Sequence, residues 1–224
     1  MDILRFEDLP QGGFAGLREK QFVTDSRLFG IHKRSEASNG LGNFVYLADA
    51  NFVPHGETRM HPHHEIDVIS VMIEGRIHHE GSLEHGQGIE TGQVQVQRAG
   101  GEGFTHNEIN PDPTENQMIQ LWFLPDNPGQ PAGYKIYQPE PGGRTQVYGG
   151  TQDQEETFDS KTRMDVALVN TAQTIEQKGE SMIFITQGHG TIQGKTIEAR
   201  TLVRGKDLSF TASSAAQLIL IYPA

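Results

Sequence analysis

Two pairs of glycines set at one interval constrain this chain more than any other feature. Ile73-Glu-Gly75 closes an apolar stretch and Thr91-Gly92 opens the next, 17 residues from glycine to glycine; Ile185-Thr-Gln-Gly188 and Val203-Arg-Gly205 repeat the interval. A repeated turn frame predicts two copies of one supersecondary unit. The apolar segments between turns are short, and 26 glycines punctuate them, which favours strands over helices. The expected fold is all-β, with two antiparallel β-barrels in one chain.

Individual strands follow from the same reading. Val68-Ile-Ser-Val-Met-Ile73 is a continuous apolar run, as expected of a strand covered on both faces. Gln93-Val-Gln-Val-Gln97 alternates strictly and predicts a half-buried strand. Arg76 to Glu80 and Met118 to Leu124 read as further strands, Gly81 to Gly86 as a loop, and Gln21-Phe-Val, Phe29-Gly-Ile and Asn43 to Leu47 as early strand pieces. Pro128 and Pro131 bar a helix between Asp126 and Gly133. From Pro125 to Gly150 proline and glycine are dense, and acidic residues follow at 153–156, which marks the inter-domain connection. The expected division is a metal-binding domain over residues 1–140 and a degenerate copy without ligands over 141–224.

Charge and composition exclude several function classes. A formal charge of −11 and a pI near 5.3 disfavour direct binding to nucleic acid or to anionic lipid. Without cysteine there is no disulfide, thiolate nucleophile or thiolate metal site. The start, Met1-Asp-Ile-Leu-Arg-Phe-Glu, lacks the basic and apolar regions of a signal peptide, and the run Leu218 to Tyr222 is too short to span a bilayer. A soluble, cytoplasmic protein is the expectation.

The chemistry concentrates in the first half. Eight of the ten histidines lie between His55 and His106. On a strand, side chains two apart share a face, so His61 and His63 in Met60-His-Pro-His-His-Glu-Ile-Asp67 can point inward together. His106 and Glu108 repeat that spacing after the glycine-rich turn at 100–103. Three imidazoles and a carboxylate form a mixed nitrogen and oxygen site suited to Fe(II), Mn, Ni, Cu or Zn. His55, His64, His78, His79 and His85 read as surface groups or outer supports, and His32 and His189 as turn or surface residues. A zincin motif would need a second histidine where Val68 stands. The third glycine of a dinucleotide fingerprint would fall at His106, and no helix pattern follows. Transferring the ligand spacing to the second glycine pair lands on Thr174, Glu176, Ile219 and Ile221, so the second copy is expected to bind no metal.

His61-Pro-His63, the apolar strand ending at Glu74-Gly75, the run from Gln95 to Glu108 and Gln120-Leu-Trp122 together resemble the pirin family of bicupins. The likeness is specific in residues 55–124 and rests on the turn frame and strand order in 160–224. It implies that His61, His63, His106 and Glu108 bind one ion, usually iron, in the N-terminal barrel. Asp67 matches the usual cupin carboxylate and falls outside this ligand set; Glu102 stands where pirins often carry a basic residue. The resemblance further implies a quercetin 2,3-dioxygenase, which cleaves a flavonol with O₂ and releases carbon monoxide, with Glu108 as both ligand and general base. The alternatives it carries are a redox-dependent transcriptional cofactor with a protein partner, or a metal-binding bicupin acting on another small molecule.

Overall fold

The computed structural model describes residues 1–224 and is built almost wholly from strands. In chain order these are β1 (Asp2–Arg5), β2 (Gly12–Phe14), β3 (Leu17–Thr24), β4 (Phe44–Phe52), β5 (His61–His63), β6 (Asp67–Glu74) and β7 (Arg76–Gly81). There follow β8 (Gly88–Glu90), β9 (Val94–Arg98), β10 (Phe104–Ile109), β11 (Gln117–Phe123) and β12 (Gly133–Tyr137). The last seven are β13 (Gly143–Gly150), β14 (Ser160–Val169), β15 (Thr174–Gln187), β16 (Gly190–Ile192), β17 (Lys195–Ile197), β18 (Thr201–Ala212) and β19 (Ala216–Pro223). A four-residue helix, α1 (Ser26–Phe29), interrupts them. The expected strand at Phe29-Gly-Ile is instead the end of α1 and a 3₁₀ turn, Gly30–His32. Asp25 caps α1, accepting from the Arg27 backbone N–H, and it also accepts from Gly40; a local capping bond outcompetes weak strand propensity there.

The chain divides into two compact units, Leu9–Gln138 and Met1–Asp8 with Pro139–Ala224. Residues 1–8, assigned by the sequence to the first domain, lie with the second unit because β1 pairs antiparallel with β18.

In the unit Leu9–Gln138 a seven-stranded sheet, β12-β9-β6-β11-β4-β3-β2, accompanies a four-stranded one, β5-β10-β7-β8. Register aligns Gln97, Val68, Trp122 and Tyr46 in one cross-strand row, and Gln95, Ser70, Gln120 and Ala48 in the next. One apolar cluster, which includes Met72, Ile77, Ile89 and Met118, packs the two sheets together. Another joins Ile66, Val68, Ala99 and Phe104. Each such buried side chain contributes about 1.5–3 kcal/mol relative to exposure. The row of Ser70, Gln95 and Gln120 is polar yet buried. β9 is therefore buried on both faces rather than one, because its glutamines hydrogen-bond inside the unit.

The second unit is one sheet of eight strands, β13-β14-β19-β15-β18-β16-β17 with β1 against β18. Its strand order repeats that of the first: β15 takes β18 and β19 as neighbours as β6 takes β9 and β11. The interior is hydrocarbon, including Ile183, Ile185, Leu218, Leu220, Val203 and Phe210. Gly75, Gly92 and Gly188 sit in turns with left-handed φ of 79°, 88° and 77°. Gly205 does not; it lies within β18 opposite Ser181. The turn before β18 is made at Arg200, with φ 56°, so the second 17-residue interval is not a copy of the first.

Candidate metal centre

The two histidine pairs meet through a ladder. β5 is antiparallel to β10, with His61 opposite His106 and His63 opposite Phe104. Strand parity then turns His61, His63 and His106 to one side. His106 Nε2 lies 3.1 Å from His61 Nε2 and 3.1 Å from His63 Nε2, and ligand atoms of all three lie within 4.8 Å of one another. His61 and His63 closely precede the Val68 run along the chain without sharing its strand. They form a separate strand in a different sheet, broken from β6 at Glu65, whose φ of 51° turns the chain.

Three ring nitrogens converge here with little to share among them. Burial, reinforced by the neighbouring imidazoles, drives the His106 pKa down to about 2 and that of His63 to about 4. Those two rings are neutral, and each presents a lone pair. His61 Nδ1 lies 2.8 Å from the Arg59 carbonyl oxygen, to which only an N–H can donate. That bond fixes the tautomer and leaves His61 Nε2 as an acceptor. Two nitrogens bonded to one ion at ~2.0–2.1 Å and at right angles would stand about 3 Å apart, the spacing observed. The donor set fits a borderline divalent ion.

Glu108 is not in that group of converging atoms. It follows His106 by two on β10 and is fully buried. Ser70 Oγ donates to its Oε1 at 3.1 Å and Gln120 Nε2 to its Oε2 at 3.0 Å. Thr58 Oγ1 accepts its backbone N–H. Burial pushes the carboxyl up to about 7, against the lowering effect of the two hydrogen bonds.

Asp67 is engaged elsewhere, in a buried ion pair with Arg98 at 3.2 Å. His64 is exposed, with Nε2 3.2 Å from the Gly101 carbonyl oxygen. Glu102 lines an open cavity of about 410 Å³ with Pro62, His63, His64 and Phe104.

Of the two readings open to His79, surface group or outer support, the structure shows the second. His79 is fully buried, and its ring centroid lies 5.3 Å from that of His106. Gln97 Nε2 approaches His79 Nε2 at 2.9 Å, Gln95 Nε2 donates to Gln97 Oε1, and the Tyr134 hydroxyl donates to Gln95 Oε1. The chain of amides makes Gln97 the donor, so His79 carries its proton on Nδ1, 3.3 Å from the Glu84 carbonyl. The signal lay in the alternation of β9: glutamines on the inner face need polar partners, and His79 is one.

Residues 30–123 match the family model described as Pirin. A Zymomonas mobilis protein provisionally named a quercetin 2,3-dioxygenase is 35% identical over 81 residues, 36% of this chain and 34% of that one. A Pseudomonas aeruginosa protein with the same provisional name is 28% identical over 174 residues, 72% of this chain and 75% of its own. The Zymomonas match thus spans about a third of that relative's length. Among solved structures, the bacterial pirin YhhW of Escherichia coli, in complex with nickel(II), superposes with a TM-score of 0.84 over 99% of this chain and 98% of its own, at 17% identity. That likeness is one of fold. The match takes in His61, His63, His106 and Glu108 together, and over residues 30–123 the chain is similar to the pirin family.

Proposed function

We propose that this chain is a metal-dependent dioxygenase that opens the central ring of a flavonol such as quercetin. His61, His63 and His106 hold one divalent transition ion, iron(II) first among the choices, and Glu108 completes the site as ligand and base. The observation that carries the reading is the convergence of three imidazoles within 4.8 Å on a strand pair that also bears a buried carboxylate. The provisional names of the Zymomonas and Pseudomonas relatives and the nickel bound by the Escherichia pirin support it.

When bound, the ion supplies Lewis acidity toward the substrate hydroxyl and open positions for substrate and O₂. The protein does the rest. Glu108, whose carboxyl is raised to about 7 by burial, is tuned to take the 3-hydroxyl proton near neutral pH. Ser70 and Gln120 hold both of its oxygens by donation; release of one of these bonds frees an oxygen to accept the proton. Glu102 at the opening beside His63 favours entry of the neutral flavonol over its anion. The deciding experiment is quercetin consumption with carbon monoxide detection, using protein loaded with each candidate metal. Carbon monoxide release from a loaded sample supports the assignment. Metal binding without any carbon monoxide turns it toward another small-molecule substrate or a cofactor role.

A further inference from the structure

Trp122, the single tryptophan of the chain, stands between the histidine cluster and a tyrosine. Its ring meets His63 edge-on at 5.7 Å and stacks on Tyr46 at 4.4 Å, with 30° between the planes. Phe29 lies against both, 6.4 Å from Trp122 and 5.7 Å from Tyr46. The Tyr46 hydroxyl is buried and donates to Glu19 Oε2 at 2.6 Å. Gln21 donates to the other oxygen of Glu19 at 2.7 Å.

We infer that Trp122, Tyr46 and Glu19 form a radical relay that draws an oxidising equivalent away from the histidine site, sparing its imidazoles when O₂ chemistry misfires to peroxide. Indole and phenol lose one electron more readily than imidazole does. Stacked rings pass that electron over a short gap. A phenol holds an oxidising equivalent only if its proton leaves at the same time, because the oxidised phenol is a strong acid. Glu19 Oε2, already the acceptor of that hydroxyl, takes the proton without any rearrangement. With a hydroxyl radical from peroxide as the oxidant, the balance is complete: the radical gains one electron and becomes hydroxide, Trp122 supplies the electron and is refilled by Tyr46, and the phenolic proton moves to Glu19. The products are hydroxide, a neutral tyrosyl radical and a protonated Glu19.

A second aromatic route provides the internal contrast. Tyr134 lies 6.1 Å from His79, which is 5.3 Å from His106. Its hydroxyl donates at 2.8 Å to Gln95 Oε1, an amide oxygen that is no base. The first path runs through an indole and the second through an imidazole, which gives up an electron less readily. The first alone ends at a carboxylate that accepts the phenolic proton.

The inference rests on the histidines holding iron, so the test has two arms. In the first, protein loaded with ferrous ion, its iron content measured, is mixed with hydrogen peroxide, freeze-quenched and examined by electron paramagnetic resonance. In parallel, oxidised His61, His63 and His106 are counted by peptide mass spectrometry. In the second, metal-free protein is oxidised by a photogenerated ruthenium(III) polypyridyl complex, and the tyrosyl signal is read in the same way. Wild type and Tyr134→Phe should give the tyrosyl signal. Tyr46→Phe should lose it and gain histidine oxidation. Glu19→Gln keeps a hydrogen-bond acceptor for Tyr46 and serves as the milder variant; it should lose most of the signal, with circular dichroism confirming the fold of both. A signal that persists in Tyr46→Phe, or that disappears in Tyr134→Phe, overturns the relay. If iron fails to bind, the metal reading fails and the ruthenium arm alone decides on the relay.

Discussion

His61 and His106 face each other across the β5–β10 ladder with their Nε2 atoms 3.1 Å apart. The Arg59 carbonyl claims Nδ1–H of His61, which leaves a lone pair on its Nε2, and burial keeps His106 neutral. Removing either ring should empty the site. His61→Ala is the cleaner test, because His61 is partly exposed whereas His106 is fully buried and its loss opens a cavity. Metal per chain by elemental analysis should fall from one to near none in His61→Ala, with metal-free stability changed by less than ~1 kcal/mol. Substitutions at Thr174 or Glu176 should leave metal content unchanged. Two buried ions per chain would contradict the assignment.

Trp122 makes the site visible without a label. The centroid of its ring is 5.7 Å from that of His63, and the chain has no other tryptophan to dilute the signal. Adding nickel(II) or copper(II) to metal-free protein should quench the intrinsic tryptophan fluorescence in a saturable way. His63→Ala should abolish the saturable part. Unchanged emission at full metal occupancy would place the ion elsewhere.

Glu108→Gln keeps the shape and the possible contacts of the side chain but cannot take a proton. Loss of a general base typically costs ~10²–10⁴ in rate. Carbon monoxide release should fall by that order in samples matched for metal content. A wild-type rate would remove Glu108 from the base role.

How much of this was legible beforehand depends on where the determinants sit along the chain. His61, His63, His106 and Glu108 announce themselves by two-apart spacing, a local property of strands. The sequence could not show that Glu108 would be held by Ser70 and Gln120 and stand outside the converging nitrogens, because those partners lie 38 and 12 residues away. His79 looked like one of an adjacent pair with no preferred face. Its burial is decided by Gln97 across the interior. Gly205 matched an interval by count alone, while the corresponding turn is carried by Arg200, a residue that no turn propensity singles out.

Asp25 supplies a pH-dependent contribution to stability. Its hydrogen bonds with Arg27, the largest cause, and with Gly40 hold its pKa at about 2, below the usual 3.8. The native state therefore keeps this carboxylate ionised where the unfolded chain is protonated. The contribution is complete above pH 3.8 and lost as the pH falls through about 2. With Arg27 half exposed, screening leaves about 1–2 kcal/mol. Denaturant titrations of wild type and Asp25→Asn at pH 6 and pH 2.5 should show a gap that narrows at the lower pH. A gap that widens on acidification would reverse the sign.

The N-terminal strand should matter to the second unit. β1 pairs with Thr201–Arg204 of β18, Ile3 packs against the apolar cluster, and Arg200 stacks over Phe6 at 3.4 Å. Deleting residues 1–8 unpairs those backbone groups and uncovers apolar surface, at a cost of about 2–4 kcal/mol. Hydrogen exchange at Leu202 and Val203 should accelerate in the deletion, whereas Ile69 and Val71 in β6 should exchange as before. Equal acceleration in both places would argue against a local role.

β5 is the outermost strand of its sheet, three residues long, with β10 as its partner. Two of the three imidazoles ride on it, while the third stands on β10, between β5 and β7. An edge strand this short opens by fraying, at a small fraction of the free energy of global unfolding. Access to an ion held there would be a hinge event on the sheet's border, and a chelator should strip the proposed centre without unfolding the protein. The same looseness would let the proposed centre exchange one divalent ion for another while the rest of the sheet stays paired.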